Sequence, residues 1–140
     1  MDSLRLIIRT PEKDVLEQEC AKIIAHGEAG YFTLLPRHTR FMSTLHISRI
    51  VIEPIGKSKR PEKEITFFIG GGILYVEKNK VLILTRSSEH EADIDSTRAL
   101  EAKERAEKRL QEDKEKVDLD RALAALERAS ARLSIVQGRA

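Results

Sequence analysis

The chain has no tryptophan, a single cysteine, and no apolar run near the roughly 18 residues that a membrane-spanning helix needs. The last absence excludes a chain that crosses a bilayer by a helix of its own. The lone Cys20 excludes an internal disulfide, and beside Ile23 and Ile24 it reads as a small buried apolar residue rather than a nucleophile. Glycine and proline are missing from Ile73 to Gln137, whereas six of the seven glycines and all four prolines fall at or before Gly72. These residues punctuate turns, so their abrupt end divides a turn-rich region from a continuous one. Met1, Asp2 and Ser3 lead into Leu4 without the basic, apolar and small-residue sequence of a secretory signal, which points to a cytoplasmic-type compartment.

Strong charge of one sign is also absent. The net charge of +2 divides into 14 basic against 10 acidic side chains over residues 1–88 and 11 against 13 over residues 89–140. Neither part has the basicity of a nucleic-acid binder, and no nucleic-acid partner is expected.

The first part, residues 1–88, is rich in strand signals. Leu4, Leu6 and Ile8 alternate with Arg5, Ile7 and Arg9, and a turn follows at Pro11, Lys13 and Asp14. Further strand-like runs cover 15–19, 21–26, 31–35, 42–53, 64–69, 72–77 and 81–85. The run 42–53 is long enough for two strands bent at a corner or one strand with a bulge. Short strands with no helical period between them predict an antiparallel β-sandwich or flattened barrel. All four Phe and both Tyr lie here, at Tyr31, Phe32, Phe41, Phe67, Phe68 and Tyr75, and are expected to supply much of the core.

Beyond Arg86 the period changes. Ala99, Ala102, Ala106 and Leu110 form one apolar stripe, and Leu119, Ala122, Leu123, Leu126, Ala129, Leu133 and Val136 form another, each on a charge-rich helix. Asp93 or Asp95 caps the first helix and Asp118 or Asp120 the second, while the polar link 112–117 is short enough to force an antiparallel two-helix hairpin over residues 89–140. Alanine-rich stripes allow close approach but bury little area at about 25 cal/mol per Å², so a loosely held, movable hairpin is expected.

No enzymatic machinery is visible. Gly56, Lys57 and Ser58 resemble the end of a phosphate-binding loop, but Val51 stands where its first glycine belongs and Arg60 and Pro61 where its helix would start. Lys57, Lys59, Arg60 and Lys63 read as a solvated hairpin loop, and Gly70–Gly72 as a bulge or close backbone approach. His26, His38, His46 and His90 have no second ligand at a zinc-like spacing, and no metal site is expected. Glu89, His90, Glu91, Asp93 and Asp95 suit either a cation or the positive end of a helix dipole.

The arginines form a more suggestive pattern. Across an antiparallel hairpin Arg98 stands near Arg132 and Arg105 near Arg128, and four guanidinium groups on one side suit a polyphosphate, whose oxygens match their forked donors. Ordinary helix-surface charge explains them equally: Glu101 with Arg105 and Glu104 with Lys108 are i, i+4 pairs, and Arg109 also faces Arg121.

Ile94, Asp95, Ser96, Thr97, Arg98 and Ala99, followed by Glu104, Arg105, Ala106, Arg109 and Leu110, resemble the C-terminal domain of the epsilon subunit of bacterial F-type ATP synthases. Asp118–Ala122 and Arg128 through Ser134 continue the likeness. In the strand-rich part Leu34, Leu35, Pro36 and His38, then Gly71–Leu74 and Val76, are similar to that family's recurrent stretches, so nearly the whole chain is covered. The resemblance implies a non-catalytic rotor subunit that needs no cofactor. Its partners would be the gamma subunit, the c-subunit ring, and the alpha and beta subunits. It would lie peripherally at the cytoplasmic face of the bacterial inner membrane and couple ion flow to ATP synthesis. It also implies a hairpin that blocks ATP hydrolysis when extended and in some members binds ATP when folded. The ATP-binding residues so implied are Glu89, Ile94, Asp95, Arg98, Ala99, Arg105, Arg128 and Arg132. Arg37 stands where the family has glycine, and with 31–33 and 46–49 it departs toward an alternate F-type lineage. Two other readings are a free-standing adaptor presenting a coiled-coil hairpin and an independent nucleotide hydrolase, which would need a metal site or base.

Overall fold

The computed structural model describes residues 2–112 and 116–138, the side chains of Lys116, Val117 and Asp118 excepted. The chain divides into two compact units, Met1–His90 and Glu91–Ala140.

The first unit holds seven strands: β1 (Leu4–Arg9), β2 (Asp14–Gly27), β3 (Gly30–Leu34), β4 (Phe41–Pro54), β5 (Ile65–Glu77), β6 (Lys80–Leu84) and β7 (Ser88–His90). Strand β1 pairs with both β2 and β6, and the path continues from β6 through β5 and β4 back to β2, so five strands close into a ring. A closed ring leaves few open edges and gives the flattened barrel that the strand pattern predicts. Strand β3 extends it beside β2 and β7 beside β5. The pairings are antiparallel except that of β1 with β6, which is parallel.

Two runs that look broken in sequence are continuous. Strand β2 passes through Cys20, where it leaves β1 and takes up β4 across a register shift. Strand β5 passes through Gly70–Gly72, where its partner changes from β7 to β6. Gly72, at φ +133°, leaves no room for a side chain: a Cβ there would stand 2.0 Å from the carbonyl oxygen of Leu84. The open choice at 42–53 resolves as one bulged strand, since Ile24–Gly27 of β2 faces the longer stretch Leu45–Val51 of β4.

Inward side chains fill the ring: Leu4, Leu6 and Ile8 from β1, Ile23 and Ala25 from β2, Ile50 and Ile52 from β4, Leu74 and Val76 from β5, and Ile83 from β6. Each buried Leu or Ile contributes about 1.5–3 kcal/mol relative to exposure. The core is mostly aliphatic, and the aromatic expectation holds in part: Phe67 belongs to it, Phe68 is fully buried, and Phe32 and Phe41 pack on its margin, while Tyr31 is 62% exposed. Cys20 is fully buried, and desolvation pushes its thiol up to about 12, so it carries no thiolate chemistry at neutral pH.

Two other loops follow local chemistry. Lys78 and Asn79 both have positive φ and join β5 to β6 by a two-residue turn of the primed kind. The Gly56–Pro61 loop is a hairpin turn, closed by the amide of Lys59 donating to the Gly56 carbonyl and that of Glu62 to Pro54.

The second unit opens with a turn of 3-10 helix at Glu91–Asp93, followed by α1 (Ser96–Glu112) and α2 (Lys116–Val136). The helices pack on each other, as the facing stripes require. Among the described residues helix α2 runs from Lys116, which puts Asp118 and Asp120 inside it rather than at its cap. Residues 113–115 of the anticipated link lie outside the described residues.

Candidate functional site

The hairpin is built from alanine. Ala99 and Ala106 of α1 and Ala122 and Ala129 of α2 are buried, Leu133 extends the same side of α2, and Ile135 is buried on another side of that helix. Leu123, assigned to the apolar stripe by its spacing, is 46% exposed and stands off it.

The start of α1 has a defined structure. The carboxylate Oδ1 of Asp95 accepts the backbone N–H of Arg98 at 3.1 Å, and the Asp95 carbonyl accepts that of Ala99 at 3.0 Å. Asp95 is therefore the N-cap, the choice that sequence left open between Asp93 and Asp95. Ile94 and Ala99 occupy the positions before the cap and four residues after it, and both are buried, as in a hydrophobic staple. Ile94, Asp95 and Ala99 thus shape the helix start, and the Arg98 side chain beside them is exposed.

A helix turns by about 100° per residue, so a residue just before a seam residue lies beside the seam. In an antiparallel pair that flank is the same side of both helices. Arg98 and Arg105 immediately precede Ala99 and Ala106, while Arg128 and Arg132 immediately precede Ala129 and Leu133. The four predicted arginines therefore share one side of the hairpin. Arg109 and Arg121, which precede Leu110 and Ala122, join that side by the same rule. Sequence reasoning had counted them as background charge, although position directly before a seam residue was the signal.

Arg98 and Arg105 are exposed, and Arg128 and Arg132 are half-buried. Among the described residues Arg98, Arg105 and Arg128 form no ion pair, and the i, i+4 partnership of Glu101 with Arg105 is not made. Their donors remain available to an anion. The predicted Glu89 lies in the other unit, on β7, opposite Phe68 of β5. Among the described residues no group of three or more His, Cys, Asp or Glu side chains is gathered to hold a metal, and no helix is long and apolar enough to cross a membrane.

The described residues form a closed barrel, and a two-helix hairpin with a cationic flank. Residues 3–91 match the family model described as the beta-sandwich domain of the ATP synthase delta/epsilon chain, and residues 92–137 match its long alpha-helix domain. The ATP synthase epsilon chain of Nitratidesulfovibrio vulgaris strain DP4 is 44% identical over 113 residues, 81% of this chain and 80% of the relative. That of Moorella thermoacetica is 39% identical over 112 residues, 80% of each. The chain belongs to the epsilon-chain family of F-type ATP synthases, and is a non-catalytic subunit.

Among solved structures, a chain of the Euglena gracilis mitochondrial ATP synthase (OSCP/F1/c-ring) is similar in fold, with a TM-score of 0.78 and 20% identity over 94% of this chain and 79% of that one. A chain of the Tetrahymena thermophila mitochondrial ATP synthase central stalk and c ring gives 0.53 and 17% over 65% and 69%.

Proposed function

We infer that this subunit works on the rotating central stalk, coupling ion translocation to ATP synthesis, and that its hairpin is a restraint on ATP hydrolysis set by bound nucleotide. Its partners in this reading are the gamma subunit and c-subunit ring on the barrel side and the alpha and beta subunits on the hairpin side. It sits peripherally at the cytoplasmic face of the bacterial inner membrane. Family membership and the stalk setting of the similar folds support the rotor role over a free-standing adaptor.

The nucleotide role rests on one observation: the guanidinium groups of Arg98, Arg105 and Arg128 flank one side of the seam with no ion pair among the described residues. A triphosphate seated on that flank would bridge α1 and α2 and so favour the folded hairpin. Moving a two-state population from 1:99 to 99:1 takes about 10⁴-fold differential affinity, roughly 5.5 kcal/mol, and charge-assisted bonds spanning both helices are lost when the hairpin opens. Arg132 lies on the same side and contributes to the same clamp. Of the other predicted contacts, Ile94, Asp95 and Ala99 act by holding the start of α1, and Glu89 is assigned to the site by the family motif alone.

Affinity purification at native abundance tests the rotor role. Recovery of gamma, alpha, beta and c subunits in fixed proportion is the expected result, and recovery of the chain without them contradicts it.

A further inference from the structure

His26 and His46 are far apart in sequence, but the register of the barrel removes that distance. Gly27 of β2 faces Leu45 of β4, which brings the preceding His26 near the following His46 within the register shift, and the next strand sets Tyr31 across from His26. The row crosses three strands. The Tyr31 ring stacks on His26 with centroids 4.2 Å apart and planes at 15°, while His46 meets His26 at 4.9 Å and 63°. His46 is exposed and His26 half-buried. Neither imidazole makes a hydrogen bond or ion pair with another described residue.

The separation has a chemical meaning. Two imidazoles that ligate one ion through nitrogens about 2.0–2.1 Å from it have ring centres roughly 4.5–5.2 Å apart, for coordination angles between square and tetrahedral. The observed 4.9 Å lies inside that window. We propose that His26 and His46 form a two-imidazole site for a borderline divalent transition cation such as Zn²⁺ or Ni²⁺. Imidazole favours these ions over Mg²⁺ or Ca²⁺, which select oxygen ligands. Solvent completes the coordination, because no third His, Cys, Asp or Glu is gathered there among the described residues. Tyr31 is the positioning residue, since its stack fixes the plane of His26.

The site spans the place where the pairing of β2 with β4 shifts register, between Ile24 and Gly27. A bound ion therefore staples two strands where the backbone ladder is interrupted. Binding the folded state alone raises thermal stability by mass action.

Titration of the full chain with ZnCl₂ and with MgCl₂, read by calorimetry, histidine ring NMR signals and thermal melting, tests this site. Saturation at one equivalent of Zn²⁺ is expected, with a raised Tm, shifts confined to His26 and His46, and no effect of Mg²⁺. The exposed His46→Ala should weaken binding at least about tenfold while leaving the metal-free Tm nearly unchanged. His38→Ala and His90→Ala should bind like the unaltered chain. Absence of saturable Zn²⁺ binding overturns the proposal, as does binding that survives His46→Ala or falls equally in His38→Ala.

Discussion

The backbone N–H of Arg37 donates to the side-chain oxygen of Asn79 at 2.6 Å, tying the loop after β3 to the turn between β5 and β6. Both residues have positive φ, 69° for Arg37 and 63° for Asn79. Asparagine tolerates that region, but for arginine the left-handed conformation costs about 1–2 kcal/mol. The Asn79 bond offsets part of this, and the Arg37 guanidinium adds an exposed pairing with Asp2 at 3.2 Å. Arg37→Gly should raise stability by about 0.5–1 kcal/mol, because glycine's greater unfolded-state entropy cancels part of the relieved strain. Asn79→Ala should lower it by about 1–2 kcal/mol. Urea unfolding of both variants checks the pair, and a destabilised Arg37→Gly would show that the arginine is held by more than these contacts.

Gly72 should tolerate no side chain. Its φ of +133° and the Leu84 carbonyl in the path of a Cβ predict that Gly72→Ala loses about 3 kcal/mol or more. Gly30 also has a positive φ, but nothing stands within 4 Å of a Cβ there, so Gly30→Ala should lose less. Thermal melting of the two variants gives the comparison.

Arg9 grips Asp14 by two bonds, Nε to Oδ1 at 2.6 Å and Nη2 to Oδ2 at 3.2 Å. The side-chain hydrogen bond from Arg9 holds the Asp14 carboxyl below its ordinary value of 3.8. A carboxyl lowered in the folded state contributes stability that is fully present above its unfolded pKa and is lost as pH falls through the folded one. The contribution should therefore be complete near neutral pH and vanish only in strong acid. Carboxyl NMR titration should find Asp14 titrating below ordinary aspartates and returning to their range in Arg9→Gln.

The cap of α1 should govern the hairpin locally. Asp95→Ala is expected to lose about 1 kcal/mol, expressed as faster amide exchange in the first turns of α1 with the barrel strands unchanged. The same experiment on the unaltered chain should find residues 99–110 and 122–133 exchanging through openings of lower free energy than Leu4–Ile8 or Leu74–Val76. Alanine buries less than the Leu and Ile of the barrel core. Equal protection of hairpin and barrel would contradict a movable hairpin.

Much of the fold was legible because side-chain periodicity reports burial. The alternation at Leu4, Leu6 and Ile8 located β1, and the spacing of Ala99, Ala106, Ala122 and Ala129 located the seam of the hairpin. The misses share a cause, since none is written in local periodicity. Strand β7, Ser88–His90, has no apolar alternation and exists because its backbone pairs with Phe67–Ile69. The apparent breaks at Cys20 and Gly70–Gly72 are exchanges of strand partner, which a one-dimensional pattern cannot distinguish from strand ends. Leu123 has the helical spacing of a core residue yet stands off the seam. At the candidate site, sequence spacing placed Arg98, Arg105, Arg128 and Arg132 on one side, and the position of each arginine directly before a seam residue adds Arg109 and Arg121 to it.

The claim that the arginine flank receives a triphosphate is tested most directly by calorimetry of the isolated chain with ATP. One equivalent should bind the unaltered chain, bringing stronger amide protection to both helices, and Arg128→Ala with Arg132→Ala should weaken binding by at least about tenfold, as loss of charge-assisted bonds predicts. No heat at millimolar ATP, or equal affinity in the double variant, would contradict the nucleotide role and leave the hairpin without that ligand.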